Sequence, residues 1–381
     1  MRFAIVGCGY VADLYLATLV NHPELQLTGV YDRVPERARA FAAFHEVHRY
    51  ESLEQLLGDP QVELVANLTN PRSHFEISAA ALHAGKHVYS EKPLATELDQ
   101  AERLVALAES RGLLLTSAPC SVLGETAQTL WKALRDGRIG TPRLTYAEID
   151  DGPIPLLGVG SWKSASGAPW PAKDEFEVGC TLEHAGYYLT WLTAFFGPVV
   201  RIRAFSHLTV PDKGLPLDVA TPDFAVAGLE FRSGMVTRLT CSIFADHDHR
   251  LRIFGDQGVL STDEAWNYGA AVRFAPRTRL ALRAFRHPTL AAMVGLGPRR
   301  IRAVRGARFR SVRGGSSTMD FCRGVAELAA AVAERRPPRM SASWALHVNE
   351  LTLAMQHPDE LGSPRSVRST FDPMDPMPWA R

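Results

Sequence analysis

The chain of 381 residues contains no apolar run approaching the roughly eighteen residues of a membrane-crossing helix, which excludes such a helix as an element of the fold. Cysteine is scarce: Cys8, Cys120, Cys180, Cys241 and Cys322 stand singly, odd in number and without CxxC spacing. That excludes a disulfide scaffold and a thiolate zinc cluster, and it fits a reducing compartment. Net charge is nearly absent at +1, so the molecule as a whole offers no attractive field to nucleic acid or to an anionic membrane. The amino terminus enters an apolar strand without a basic leader or a small-residue cleavage site, and the expected location is cytoplasmic. Internal repeats and low-complexity tracts are lacking, apart from a proline-rich stretch after Asp359 that is expected to be irregular.

One local imbalance stands against this neutrality. From Arg273 to Arg313 there are twelve arginines and no acid, so the remainder carries an excess of eleven negative charges. The segment also holds the apolar stretch LAAMVGLG. It could bind an anionic substrate group, lie on an anionic membrane, or complement the acidic remainder, the last being the preferred reading.

The length favours two domains. The opening FAIVGCGYVADLYLATL is an apolar run, a glycine turn and a helical pattern, the strand, turn and helix of a dinucleotide site. Gly7 permits the tight turn, Gly9 lets the backbone approach a pyrophosphate, and Ala12 allows close helix–strand packing, with Tyr10 and Val11 at the helix start. A second strand, LQLTGVYDR, ends in Asp32, placed to accept both adenosine ribose hydroxyls. Arg33 could hold a 2′-phosphate, but the carboxylate beside it would repel that group, so NAD is expected ahead of NADP. Helices expected at 35–44, 52–57, 74–84 and 97–110 alternate with strands at 62–68, 87–89 and 113–117. Such alternation specifies a doubly wound parallel sheet, a Rossmann domain over residues 1–120.

The fourth strand, HVYS, leads into EKPLA, Glu91 to Ala95, and the third into TNPRSH, Thr69 to His74. Together with GCGYVA, IFGDQGVL and the long DFCRGVAELAAAVAERRPPRMSASWALHVNEL, these segments make the chain resemble the glucose-fructose oxidoreductase, inositol dehydrogenase and MocA (Gfo/Idh/MocA) family over nearly its whole length. The resemblance implies an α/β protein: a Rossmann domain, then an α/β domain over residues 121–381 with a large, open, mostly antiparallel sheet. Nicotinamide and substrate would meet in the cleft between them. It further implies cofactor contacts from Thr69, Asn70, His74, Glu91, Lys92 and Pro93, with Lys92 near the nicotinamide ribose and the reacting hydroxyl and Pro93 following a cis peptide bond. A homo-oligomer built through the second sheet is expected as well. Independently, an ammonium beside a cationic nicotinamide is expected to have a lowered pKa and to exchange a proton.

After about Ser121 the alternation of strands and helices breaks. VVRIRAFSHL, DFAVAGLEFRSGMVTRLTCSIFA and HRLRIFGDQGVLST alternate with period two around a hairpin signal at Ser233, as an antiparallel sheet does. In DHDH, Asp246 to His249, strand alternation points the aspartates one way and the histidines the other, and the segment reads as a solvated strand end without a metal. The loop 152–171, rich in glycine, proline and tryptophan, contains Trp162, Lys163 and Trp170; its rings could stack on a sugar or serve as a lid or subunit contact. Trp162 and Lys163 are the substrate-binding candidates there.

A helix expected over 180–196 contains GCTLEHAGYY. Leu182, Ala185, Leu189, Leu192 and Phe196 face its core side, while Thr181, His184 and Tyr188 align on another face. In most members of the family this helix carries an aspartate and, four residues later, a histidine; matching Gly186 and Gly197 puts His184 and Tyr188 in those places. Tyr188 is then the expected proton relay, activated by Lys92 and the nicotinamide, with His184 orienting and Glu183 pointing away as a structural residue. The expected activity is NAD(P)-dependent interconversion of a secondary alcohol and a ketone on a sugar, sugar derivative or cyclitol. The alternatives are NAD-dependent glycoside hydrolysis through transient oxidation and a non-catalytic nucleotide- or sugar-sensing regulator.

Overall fold

The computed structural model describes the chain except residues 285, 288, 290–292, 294–296 and 307–318. Most of LAAMVGLG and the arginines beyond residue 306 lie outside the described residues, and so does their part in the reading of the basic segment.

Strands β1 (Arg2–Val6), β2 (Gln26–Tyr31), β3 (Leu64–Asn67), β4 (His87–Ser90) and β5 (Leu115–Ser117) form a parallel sheet in the order β2-β1-β3-β4-β5. The central strands read as unbroken apolar runs because helices cover both faces; all four residues of β3 are buried. The chain leaves β1 toward β2 on one side and β3 on the other, which opens a crevice at their carboxyl ends.

The second sheet has nine strands: β6 (Pro142–Asp150), β7 (Val199–His207), β8 (Phe224–Phe231), β9 (Val236–Ser242), β10 (Leu251–Gly255), β11 (Gly258–Thr262), β12 (Arg273–Pro276), β13 (Arg299–Arg300) and β14 (Arg365–Ser366). Their order is β13-β12-β11-β10-β6-β9-β8-β7-β14, and every neighbouring pair is antiparallel except β6 with β9. The period-two pattern is strict in β8, where Ala225, Ala227, Leu229 and Phe231 are buried and the residues between them are not. This inner face packs on the helices Gly186–Phe196 and Ala342–Gln356 in one continuous core.

The carboxyl-terminal third returns to the first sheet. Helix Cys322–Glu334 lies on helix Tyr10–Leu19 and β4, and Gly324 comes so close that a Cβ there would stand 2.5 Å from the Tyr89 ring. Helix Ala342–Gln356 touches β5 and helix Leu98–Ser110 on one side and β7 on the other, which is why it is buried almost all round. Asn349 accepts the Ala95 N–H at 3.2 Å across this seam.

His347 fastens the same helix to the second sheet. Its Nε2 accepts the Val199 N–H at 3.0 Å while Nδ1 donates to Ser369, so the ring is neutral, and burial pushes its pKa down to about 4. An unfolded histidine titrates near 6.5, so as pH falls the unfolded chain takes up this proton first. The contribution is complete above about pH 6.5 and is lost progressively toward pH 4. Between pH 7 and pH 5 the protein is expected to lose about 2 kcal/mol more unfolding free energy than a His347→Leu variant loses. Urea unfolding at the two pH values measures this, and equal losses in the two proteins would rule His347 out as the source.

Candidate active site

Gly7 has φ +102°, and a Cβ there would stand 2.6 Å from the Leu68 carbonyl, so only glycine lets β1 turn this tightly against β3. A Cβ on Gly9 would meet nothing within 4 Å, which leaves open space before the first N–H groups of helix Tyr10–Leu19. Ala12 is fully buried beneath the turn. Asp32 accepts the Cys8 N–H and the Val34 N–H, each at 2.8 Å, so its carboxylate is fixed at the end of β2 with lone pairs to spare. Arg33 lies close enough to Asp174 to act on that carboxylate. The turn, the open space and the anchored acid fit a dinucleotide.

From this crevice a cleft of about 830 Å³ runs past Thr69, Asn70, Glu91 and Lys92 to Glu183, His184 and Tyr187, with Lys163, Trp170 and Trp266 on its other walls. The loop carrying Lys163 and Trp170 is pinned to the first domain: the Ser166 hydroxyl donates to Asp13 at 2.7 Å, and Asp13 also holds His45 at 2.6 Å. Two further ties cross the same gap, Asn70 to Asp174 and Arg72 to Glu177.

Lys92 precedes a cis Lys92–Pro93 bond, and its ammonium is ion-paired with Glu183. Burial works against the ammonium charge, but the Glu183 carboxylate, with a smaller contribution from Glu91, outweighs it and holds the pKa well above the ordinary lysine value. This is opposite to the lowered value expected from the sequence, because the lysine's partner here is a buried carboxylate. Burial and the Glu183 charge hold Glu175 protonated, and Glu183, despite its own burial, is kept ionised by Lys92 and by the Glu175 hydrogen bond. Glu91 supports the same corner by accepting the Tyr15 hydroxyl at 2.6 Å and the Lys92 N–H at 3.0 Å. Burial raises the Tyr187 phenol pKa and Lys92 opposes that rise, so the two groups are within electrostatic reach.

Four sequence assignments need correction. Tyr188 is fully buried, donates to the His249 carbonyl and does not line the cleft; Tyr187 lines it. The helix opens with a π turn over Thr181–Ala185 and is regular from Gly186. Both tyrosines stand within one turn of His184, and it is Tyr187, three residues on, that shares its cleft face, while Tyr188 turns toward the His249 carbonyl of the second sheet. Glu183, read as pointing away, is the partner of Lys92. His74 is fully buried beneath the site, with its ring nitrogens 2.6 Å from the Pro93 carbonyl and 2.9 Å from the Thr69 carbonyl, where it positions both loops without lining the cleft. Trp162 packs against Trp170 at 5.4 Å, and it is Trp170 that lines the cleft.

The sequence reading also missed Asp151, Glu175, Glu264 and Trp266. His184 Nε2 lies 2.9 Å from Asp151 Oδ2, and Asp151 Oδ1 lies 2.6 Å from His249 Nε2. His249 Nδ1 in turn lies 2.7 Å from Glu264. Against its burial, these two carboxylates push the His249 pKa up to about 9. Burial would raise Asp151, but His184 and His249 hold it well below the usual carboxylate range. Only the pairing of EH with YY, four residues apart, hinted at this wall; Asp151 and Glu264 come from the ends of distant strands and left no local signal.

A family model described as an oxidoreductase family with an NAD-binding Rossmann fold matches residues 1–118, and one for the GFO/IDH/MocA C-terminal domain matches residues 127–261. The chain is similar to trans-1,2-dihydrobenzene-1,2-diol dehydrogenase of Macaca fascicularis, 31% identical over 266 residues that span 68% of this chain and 73% of that one. It is also similar to scyllo-inositol 2-dehydrogenase (NADP(+)) IolU of Bacillus subtilis, 31% identical over 144 residues, 38% of this chain and 43% of that one. Among solved structures, KijD10, a 3-ketoreductase from Actinomadura kijaniata in complex with NADP, has a TM-score of 0.69 at 22% identity and covers 93% of this chain and 96% of its own. At that identity the likeness concerns the fold alone.

Proposed function

The chain belongs to the GFO/IDH/MocA oxidoreductase family, with an NAD-binding Rossmann domain, and from that premise we propose that it interconverts a secondary alcohol and a ketone on a polyhydroxylated ring. The observation that carries this reading is the placing of Lys92 and Tyr187 on the wall of one cleft that opens from the nucleotide crevice. A dinucleotide held by the Gly7–Gly9 turn and Asp32 would supply hydride exchange at its nicotinamide C4. In oxidation Tyr187 acts as the phenolate, which the Lys92 cation favours, and becomes a phenol by taking the proton of the substrate hydroxyl; in reduction the phenol returns that proton, and Glu183 keeps the Lys92 cation in place. Trp170 and Trp266 offer flat apolar faces to the C–H surface of a ring, and the cleft volume lies within the range of small-molecule sites. Relatives named for an inositol and for a cyclic diol support adjacent ring hydroxyls, and support oxidoreduction over the hydrolytic and sensor alternatives.

The outer face of the second sheet carries exposed Phe205 and Val236 and the stacked Arg238–Tyr146 pair, and it is the face we assign to a second copy of the chain. No described helix is long and apolar enough to cross a membrane. Five free, buried cysteines support a cytoplasmic location as part of the same reading.

The expected test result is NAD reduction with ring polyols, with NAD preferred over NADP through Asp32. Asp32→Asn keeps an oxygen for one backbone N–H but removes the charge, so NADH binding should weaken about tenfold while NADPH binding stays level or tightens. Fluorescence titration with both nucleotides reads this, and equal weakening of the two would remove Asp32 from the ribose site.

A further inference from the structure

Asp150 and Asp248 form an isolated antiparallel bridge, with N–H to carbonyl distances of 3.1 and 2.9 Å. In that register Asp151 stands opposite His247, and strand alternation brings His249 to the same face. The rings of His247 and His249 are accordingly 4.2 Å apart. One ligand atom from each of Asp151, His247 and His249 can be chosen so that all three lie within 4.8 Å of one another. Glu264 closes the group from the end of β11, 2.7 Å from His249 Nδ1 and 3.5 Å from His247 Nε2.

We propose that Asp151, His247 and His249 bind a divalent cation of the zinc class, with Glu264 positioning His249. The chemistry of each contact supports this. Glu264 is itself held by the Ala265 and Trp266 N–H groups at 2.8 and 3.0 Å, and by accepting from His249 Nδ1 it leaves Nε2 as the donor toward the ion. A carboxylate behind a ligating histidine is the usual second contact of such sites. In the absence of an ion the 2.6 Å separation of His249 Nε2 from Asp151 Oδ1 is bridged by a proton, which stands where the cation would draw on the same two atoms. Bonds of about 2.0–2.2 Å to a zinc-class ion need ligand atoms somewhat closer than 4.8 Å, and His247, whose side chain is 52% exposed, is free to close that gap by rotation. Two carboxylates and two neutral imidazoles balance a double positive charge. Tyr188 holds the His249 carbonyl from below, so the base of the site is rigid. Asp151 Oδ2 faces His184, so the ion and the substrate cleft share one carboxylate.

The experiment is isothermal titration of chelator-treated full-length protein with Zn²⁺, repeated with Co²⁺ while its visible absorption is recorded. The expected result is one equivalent bound. His247→Ala and Asp151→Asn should each weaken binding at least tenfold, and Glu264→Gln should weaken it by about 10- to 100-fold. His207→Ala, on an exposed histidine of β7, should leave it unchanged. His247→Ala removes a half-exposed ring and keeps the test valid if Asp151→Asn fails to fold. Absence of one-to-one binding, or binding that survives His247→Ala undiminished, would overturn the proposal. Neither outcome bears on the oxidoreductase reading, which the nucleotide titration tests separately.

Discussion

Tyr187→Phe is expected to lower kcat by about 10²- to 10⁴-fold and to leave nucleotide affinity nearly unchanged, because the substitution deletes only the hydroxyl that exchanges the substrate proton. Tyr188→Phe is expected to do the reverse. Its hydroxyl donates to the buried His249 carbonyl, so losing it leaves an unpaired acceptor and costs about 1–3 kcal/mol of stability with turnover little altered. Steady-state kinetics on an accepted ring polyol, beside urea unfolding of both variants, separates the two tyrosines. Normal turnover in Tyr187→Phe, or a collapse of turnover in a folded Tyr188→Phe, would return the proton relay to the residue named by simple helical spacing.

That contrast shows where the sequence could be read and where it could not. The first sheet was legible because each strand is an apolar run between helices and because Gly7, Gly9 and Asp32 have few other reasons to stand at those spacings. β8 and β9 were legible from alternation and from the Ser233 turn, where Gly234 has φ +83°. The choice between Tyr187 and Tyr188 was not, since both stand within one helical turn of His184 and only the packing of Tyr188 onto the His249 carbonyl decides which of them enters the cleft. Asp151 and Glu264 were missed for another reason. They reach the cleft wall through strand pairing, β6 against residue 248 and β11 beside β10, and a single sequence does not reveal such register.

Lys92→Met is expected to lower kcat at least as far as Tyr187→Phe and also to destabilise the fold. Glu183, only 2% exposed, would lose its cation with the protonated Glu175 beside it, and removing one member of a buried pair costs about 3–5 kcal/mol. The double variant Lys92→Met/Glu183→Gln removes the orphaned charge, so most of the stability should return while turnover does not. Combining Lys92→Met with Tyr187→Phe should lower kcat by less than the product of the single effects, since both residues serve one proton transfer. A double variant that regains both stability and turnover would show that Lys92 serves the fold alone.

Helices Cys322–Glu334 and Ala342–Gln356 give the chain a history its two sheets conceal. The first sheet looks like a cassette that could be exchanged among nucleotide-binding proteins, yet the surface left by cutting after Ser117 would include Tyr15, Tyr89 and Leu104, all buried in the intact molecule. Such a fragment would have to acquire a new cover before it could stand alone. Recombination that respects this protein must therefore carry both ends of the gene together, and variation in the substrate half is constrained by residues that never approach the substrate.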